Sequence, residues 1–269
     1  MSLALAASGA GHRIVAVVAR RRDAAENAAS DLGSFALEIG EELPPADLVV
    51  VAVRDDAIAP VATALAGSVD RCRAVVHVSG LAPVVALAPL AAVGLDTGSF
   101  HPLQTLPTPD AGAARLAGAW IGITADVPAL RERLEELARS LGAHPFVLAE
   151  ASKATYHAGA AAAANFPLAA LTMASDLFDR AGVPWQAARP LVEAVVANAF
   201  ELGPRAALTG PVARGDVSTV AGQFDAVHRD APEWLATYAA FVQELARLSG
   251  RGTAFGDLIS RWRASQERG

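Results

Sequence analysis

Short runs of consecutive apolar residues, many of them β-branched, punctuate the first half of this chain at residues 14–18, 48–53, 74–78 and 120–123, and nothing like them follows Glu150. Apolarity on successive positions, as opposed to alternate ones, marks strands covered on both faces, as in a parallel sheet flanked by helices. Alanine- and leucine-rich amphipathic stretches separate the runs, so this half reads as α/β with a doubly wound sheet. Beyond Glu150 the pattern is helical throughout, over residues 152–181, 184–202, 218–228 and 232–248. Pro232 suits a helix start and Gly250 a helix stop. Pro167 and Pro190 fall inside the first two patterns and should kink or divide them, because proline removes a backbone donor and crowds the preceding turn. The expected organisation is an α/β domain over residues 1–148 and an all-helical domain over residues 149–269.

Composition narrows the function. The 269 residues are 53% hydrophobic and 19% charged, enough for a large core. A net charge of −6 and a pI near 5.5 argue against a nucleic-acid groove, which needs a concentrated positive surface. A small metabolite met by a few local arginines is the better expectation. Cys72 stands alone, which leaves no disulfide framework or cysteine metal site and makes a packing residue in a reducing cytoplasm the simplest expectation. No window has the length and apolarity of a membrane span, and the opening residues carry no basic stretch of the kind that begins a signal peptide. No histidine and carboxylate set has metal-ligand spacing, and no Gly-x-Ser-x-Gly elbow occurs.

A doubly wound nucleotide-binding half opens with a central strand, a glycine-rich turn and a helix whose N-terminus holds a pyrophosphate. Here residues 1–8 read instead as the back of that helix, leading through Gly9 and Gly11 into the strand at 14–18. The Gly9-Ala-Gly11 pair follows a helix and precedes a strand, the reverse of what a phosphate cradle needs. The expectation is a start displaced by roughly 15 to 25 residues, one strand with its turn and part of a helix. A genuinely lost central strand would leave two apolar sheet edges unpaired.

Other positions in this half suit a dinucleotide. Arg20, Arg21 and Arg22 follow the first strand, where an NAD enzyme would place an acidic residue against a ribose hydroxyl. They suit the 2′-phosphate of NADP in preference to NAD, or else they are solvated side chains in an arginine-rich chain. Arg54 and Asp56 end the next strand at the sheet's carboxyl edge; Asp56 is read as a helix cap and Arg54 as a ligand contact. Ser79 and Gly80 end a third strand, either as a turn or as backbone close to a nicotinamide.

Lys153 is the only lysine. Lysine supplies a compact ammonium whose pKa burial can lower, whereas guanidinium stays charged, so its survival in this composition marks a site or is chance on a helix face. Three stretches then combine into a resemblance: Phe100 through His101, Pro102 and Gln104 to Thr105; Lys153 through Tyr156 and His157 to Asn165 and Phe166; and Leu208 through Gly210 and Arg214 to Asp216. Together they resemble the Rossmann-like proteins with a helical C-terminal domain of unknown function, regarded as NADP-dependent oxidoreductases. More distantly the chain is similar to pyrroline-carboxylate reductase, ketopantoate reductase and the β-hydroxyacid dehydrogenases. That resemblance spans essentially the whole chain and implies a nicotinamide fold, a helical domain closing over the cleft, and a homodimer. The family's glycine-rich first turn is not in this sequence. Hydroxyacid dehydrogenases carry a helical lysine with an asparagine four residues on; here His157 has that spacing, and Asn165 corresponds by type alone.

At about 100° per residue, His157 lies roughly 40° and Asn165 roughly 120° around a helix from Lys153, so all three border one broad face. Hydride addition to a ketone builds negative charge on oxygen and calls for a cation or proton donor, which makes Lys153 the candidate general acid with His157 beside it. A core histidine bonded to backbone is the other reading of His157. His101 and Gln104, in a proline-flanked loop after an apparent strand end, are either the opposite wall of the cleft or a rigid turn. Asn165 would bind a substrate carboxylate or hydroxyl. Arg214 would clamp an acid group, or pair with Asp216 or across a dimer. The function expected is NADP-dependent reduction of a small 2-keto or imino acid, with a ketopantoate-like acid as one example; the rival is an NADP-binding regulatory or interaction module without chemistry.

Overall fold

A computed structural model describes residues 1–266 of the chain, which forms two compact units, residues 1–164 and 165–269. The first runs α1 (Ser2–Gly9), β1 (Ala16–Ala19), α2 (Arg22–Ser30), β2 (Phe35–Glu38), β3 (Val49–Val51), α3 (Ile58–Leu65), β4 (Ala74–His77), α4 (Ala88–Ala91), β5 (Asp96–Leu103), α5 (Pro109–Ala114), β6 (Trp120–Ala125), α6 (Pro128–Ser140), β7 (His144–Val147) and α7 (Lys153–Ala164). Strands β3 to β7 form one sheet in chain order, parallel except for the antiparallel β5–β6 pair. β1 and β2 pair in parallel as a separate two-stranded sheet. Among the described residues β1 pairs with β2 alone and β3 with β4 alone.

Both faces of the larger sheet are covered. Ala74 and Val76 of β4 enter one apolar cluster with Phe100, Ile121, Ile123 and Leu134. Val75, between them, enters another with Ile58, Leu65, Leu87 and Leu90. Successive side chains on a strand point to opposite faces, so an unbroken apolar run is what a strand between two helical layers requires. Cys72 packs at the margin of the second cluster, in keeping with its reading as a packing residue.

The four strands expected from the sequence are present with ends shifted by a few residues, whereas β2, β5 and β7 carry no such apolar run. β5 contains Gly98 and Pro102, and β7 contains Pro145, residues that argue against a strand on propensity alone. Pro102 is tolerated because β4 pairs with β5 only as far as Ser99, leaving residues 100–103 bonded on the β6 side alone. His101 therefore stands within a strand and not in the loop expected for it. That overhang carries His101 past the end of β4.

The second unit comprises α8 (Phe166–Arg180), α9 (Arg189–Leu202), α10 (Gly210–Arg214), α11 (Val217–Asp230), α12 (Leu235–Leu248) and α13 (Gly252–Gln266). Pro167 divides the first long pattern, and it and Pro190 sit in the first turns of α8 and α9, where the missing donor costs little. Gly250 closes α12 at φ 73°. The core of this unit joins Val212, Val220, Phe224, Leu235, Val242 and Phe255 from α10 to α13. The compact units divide after Ala164 and not at residue 148, where the strand pattern ends, because α7 stays with the sheet through its buried first residue, Lys153. No described helix is long and apolar enough to cross a membrane, and no described group of three or more His, Cys, Asp or Glu could hold a metal ion.

Candidate active site

The carboxyl ends of β3, β4 and the first part of β5 lie on one edge of the parallel sheet, the edge at which α/β proteins bind ligands. The side chains gathered there come from the turns after β3 and β4, the overhang of β5, and the first turns of α7.

The turn after β4 is tied from several sides. Ser79 Oγ donates to Asp55 Oδ2 at 2.8 Å, linking it to the turn after β3. The same oxygen accepts from the backbone N–H groups of Leu81 (3.1 Å) and Ala82 (2.9 Å). Ser79 N–H donates to His77 Nδ1 at 3.2 Å, so the His77 proton sits on Nε2, which is buried with no hydrogen-bond partner among the described residues. Burial, reinforced by the Lys153 charge, pushes the His77 pKa down to about 4.

Lys153 is 2% exposed. Its ammonium donates to the Ala82 carbonyl at 2.8 Å and stands 3.6 Å from Glu150 Oε2. Glu150 Oε1 in turn accepts from Val84 N–H at 3.0 Å. Burial lowers the Lys153 pKa, and Glu150 opposes the shift. The lysine fastens the turn after β4 to the start of α7, with one hydrogen on the Ala82 carbonyl and its charge beside Glu150.

One turn further along α7, the Tyr156 hydroxyl lies 2.7 Å from His101 Nδ1. The two rings meet edge to face at 5.5 Å, and Phe146 packs against the phenol at 5.8 Å. His157 approaches His101 at 6.4 Å between ring centroids. Burial first, then the charges of His157 and Lys153, hold the His101 pKa down to about 4. Burial pushes Tyr156 up to about 12. A β-carbon at Gly80 would fall 2.8 Å from His101 Cε1, so the imidazole lies directly on the Gly80 backbone and no larger residue fits between.

The structure thus brings together Lys153, His157, His101, Ser79 and Gly80. Gln104 stays outside the cluster: exposed beyond β5, its side chain accepts from Thr105 N–H. Asn165 and Arg214 belong to the second unit and are exposed there. Asn165 precedes α8 without capping it, and Arg214 ends α10, where its charge helps to lower the Asp216 pKa after the hydrogen bonds from Thr219 and Ser218. Asp56 is no helix cap; it pairs with Arg54 at 2.6 Å on the surface. Asp55, Glu150, His77 and Tyr156 are members that the sequence left without a role. Tyr156 alone had a usable signal, its place three residues after Lys153 on the same helix face.

A dinucleotide fits these residues at its ends. Arg20 follows β1, exposed and with no ion pair among the described residues, as a 2′-phosphate contact should be; Arg21 is engaged with Asp23 at 3.1 Å. Arg22 is taken up structurally, bonded to both oxygens of Glu41 (2.6 and 2.7 Å) and to the Ala36 carbonyl. Ser79 and Gly80 offer backbone at the nicotinamide end. The middle is different: no described strand leads through a glycine-rich turn into a helix, and the helical turn after β3 begins with Asp55 and Asp56, which disfavour an anion.

The fold and this edge define a Rossmann-like α/β protein with a helical C-terminal region. Residues 119–245 match the family described as Domain of unknown function (DUF2520). Among solved structures it is similar to a candidate NADP oxidoreductase from Bacteroides fragilis (TM-score 0.73, 24% identity, covering 91% of this chain and 93% of that one). It is also similar to an imine reductase from Streptomyces aurantiacus (TM-score 0.58, 16% identity, 96% and 95% covered). A third likeness is to a Plasmodium falciparum pyrroline carboxylate reductase with NADP bound (TM-score 0.56, 10% identity, 93% of each chain covered). No curated protein sequence matches the chain.

Proposed function

We propose that this protein is an NADP-dependent oxidoreductase that reduces the C=O or C=N bond of a small 2-keto or imino acid, acting in the cytoplasm as a homodimer. The observation that carries the reading is the buried ammonium of Lys153 among neutral histidines at the carboxyl edge of the parallel sheet. Arg20, Arg21 and Arg54 serve the phosphate-bearing end of the cofactor, and Ser79 and Gly80 its nicotinamide end. A bound reduced nicotinamide supplies the hydride. Lys153 supplies fixed positive charge toward the oxygen or nitrogen on which negative charge grows, an effect that is large where water is excluded. Asp55, Ser79 and Glu150 hold the turn after β4 in place for it. The imine reductase and pyrroline carboxylate reductase likenesses favour a C=N substrate within this class.

Titration with NADPH and NADH, followed by reduced-nicotinamide fluorescence, tests the cofactor; a panel of keto and cyclic imino acids tests the chemistry. Preference for NADPH and its substrate-dependent oxidation are the expected results. NADPH binding without oxidation across the panel would return the non-catalytic module, and no binding of either nucleotide would remove the reading altogether.

A further inference from the structure

We infer that Tyr156 delivers the proton in the proposed reduction, with His101 as the residue that positions and recharges it, while Lys153 provides charge and keeps its own protons. The inference rests on the reductase reading above.

Of the three Lys153 hydrogens one is held by the Ala82 carbonyl and the Glu150 carboxylate draws a second, while almost none of the side chain is exposed to offer the third. Tyr156 lies one helical turn away on the same face, half-buried, with its ring pinned between Phe146 and His101. Among the described residues its hydroxyl has one hydrogen-bond partner, His101 Nδ1 at 2.7 Å. A phenol has one hydrogen to donate and lone pairs to accept. When Nδ1–H donates to the phenol oxygen, the phenol hydrogen is free to point away from the histidine toward a reacting atom. His101 itself lies against Gly80, where even a β-carbon would fall 2.8 Å from its Cε1.

The step balances as follows. Hydride adds to the carbon of the C=O or C=N bond, and the π pair moves to oxygen or nitrogen. That atom takes the hydrogen from Tyr156 Oη, and the O–H pair stays on the phenol oxygen as phenolate. His101 Nδ1 gives its hydrogen to the phenolate as Nε2 takes one from water, so the histidine ends as the opposite neutral tautomer. The net donor is solvent, with which the partly exposed His101 is in contact. Substrates that bind already protonated, as iminium ions, bypass the step and depend on Tyr156 less.

Two readouts test this. In the ligand-free protein, nitrogen-15 spectra of the six histidines, assigned with the help of His101→Asn, should show His101 as the Nδ1–H tautomer; an Nε2–H tautomer would mean that the phenol donates to the histidine and would overturn the relay. In turnover with a keto acid, Tyr156→Phe should lower kcat by roughly 100-fold to 10,000-fold with KM for NADPH unchanged, and His101→Asn should lower it less. Should Tyr156→Phe prove unstable, kcat in His101→Asn read against the protonated-imine substrate, which should be spared, serves instead; equal losses on both substrates overturn the inference. Full turnover in Tyr156→Phe with loss in His157→Asn would move the proton to His157. No turnover by the unaltered protein on any substrate removes the reductase reading and this inference with it; turnover that survives Tyr156→Phe removes the inference alone.

Discussion

Arginine cannot do what Lys153 does. Its guanidinium is broader than an ammonium and keeps its charge under burial, whereas the space at the start of α7 holds one amine between the Ala82 carbonyl and Glu150. Lys153→Met keeps the bulk and deletes the charge. It leaves the Ala82 carbonyl without its donor, at a cost of about 1–3 kcal/mol. Turnover should fall at least ~100-fold, in the range found when one preorganised electrostatic contact is lost, while NADPH affinity measured by fluorescence stays within about twofold; unaltered turnover would remove the lysine from the site. Gly80→Ala tests the other wall. A methyl group 2.8 Å from His101 Cε1 must displace the imidazole and break its contact with Tyr156, destabilising by roughly 1–3 kcal/mol as overpacking does. In that variant the His101 pKa should rise from about 4 toward the ordinary histidine value, read by proton NMR titration. Lys153, His101, Ser79 and Gly80 were legible because rarity, a strand end or a neighbouring proline drew notice to each. Asp55 was not, and Tyr156 only through its place one helical turn after Lys153, since their roles come from partners 24 and 55 residues distant, a pairing that one sequence does not carry.

At the scale of elements, the strands buried on both faces announced themselves, and those with mixed composition did not. β4 is apolar at each of its first three positions because helical layers cover both sides. β5 hides behind Gly98 and Pro102, and the part of it that matters for chemistry is the stretch that β4 no longer pairs. Helix periodicity was read more readily than helix ends: one continuous pattern became α7 and α8, with the break set by Pro167. α9 has no buried residue, and Leu191, Val195, Val196 and Phe200 are all more than half exposed. Leu191, Val195 and Leu202 recur at intervals that place them along one side of the helix, whereas Val196 and Phe200 fall on the opposite side. An apolar stripe of this kind calls for a covering surface, which the proposed homodimer supplies. Light scattering should give twice the chain mass, and Leu191→Glu with Val195→Glu should give a folded monomer; a monomeric unaltered chain would rule the dimer out.

For the molecule as a whole, the histidines of the site set an acid limit. His77 has a pKa of about 4 in the fold against an ordinary 6.5, so between those values the unfolded chain binds the proton that the folded chain refuses. Stability is therefore complete above about pH 6.5 and declines as pH falls to about 4, by on the order of 3 kcal/mol from His77 alone. Lys153, Asp55 and His101 are the charged or titratable groups that shift it, and His101 adds in the same direction. Glu41, Asp216 and Asp230 have pKa values lowered below the usual carboxylate range, so their losses come at lower pH. Urea unfolding at pH 7 and pH 4.5 should show the decline, and His77→Gln should flatten it; equal stability at both pH values would contradict a neutral buried imidazole.

The separation of β1 and β2 from the larger sheet sets a boundary on cooperativity. Side chains such as Ile14 and Val18 lean on the main clusters, but among the described residues no ladder joins β1 to β3, and the Arg22 fork on Glu41 closes the β1–α2–β2 segment onto itself. A segment joined to its neighbour by packing alone can open without dragging the rest of the sheet apart. In deuterated water the amides of Val18 and Leu37 should exchange through such an opening, well before those of Val76 and Ile121, which wait for the five-stranded sheet to come apart. Arg20 and Arg21, just after β1, would move with each excursion, so a bound NADP should slow exchange across the whole segment and not only at those two residues.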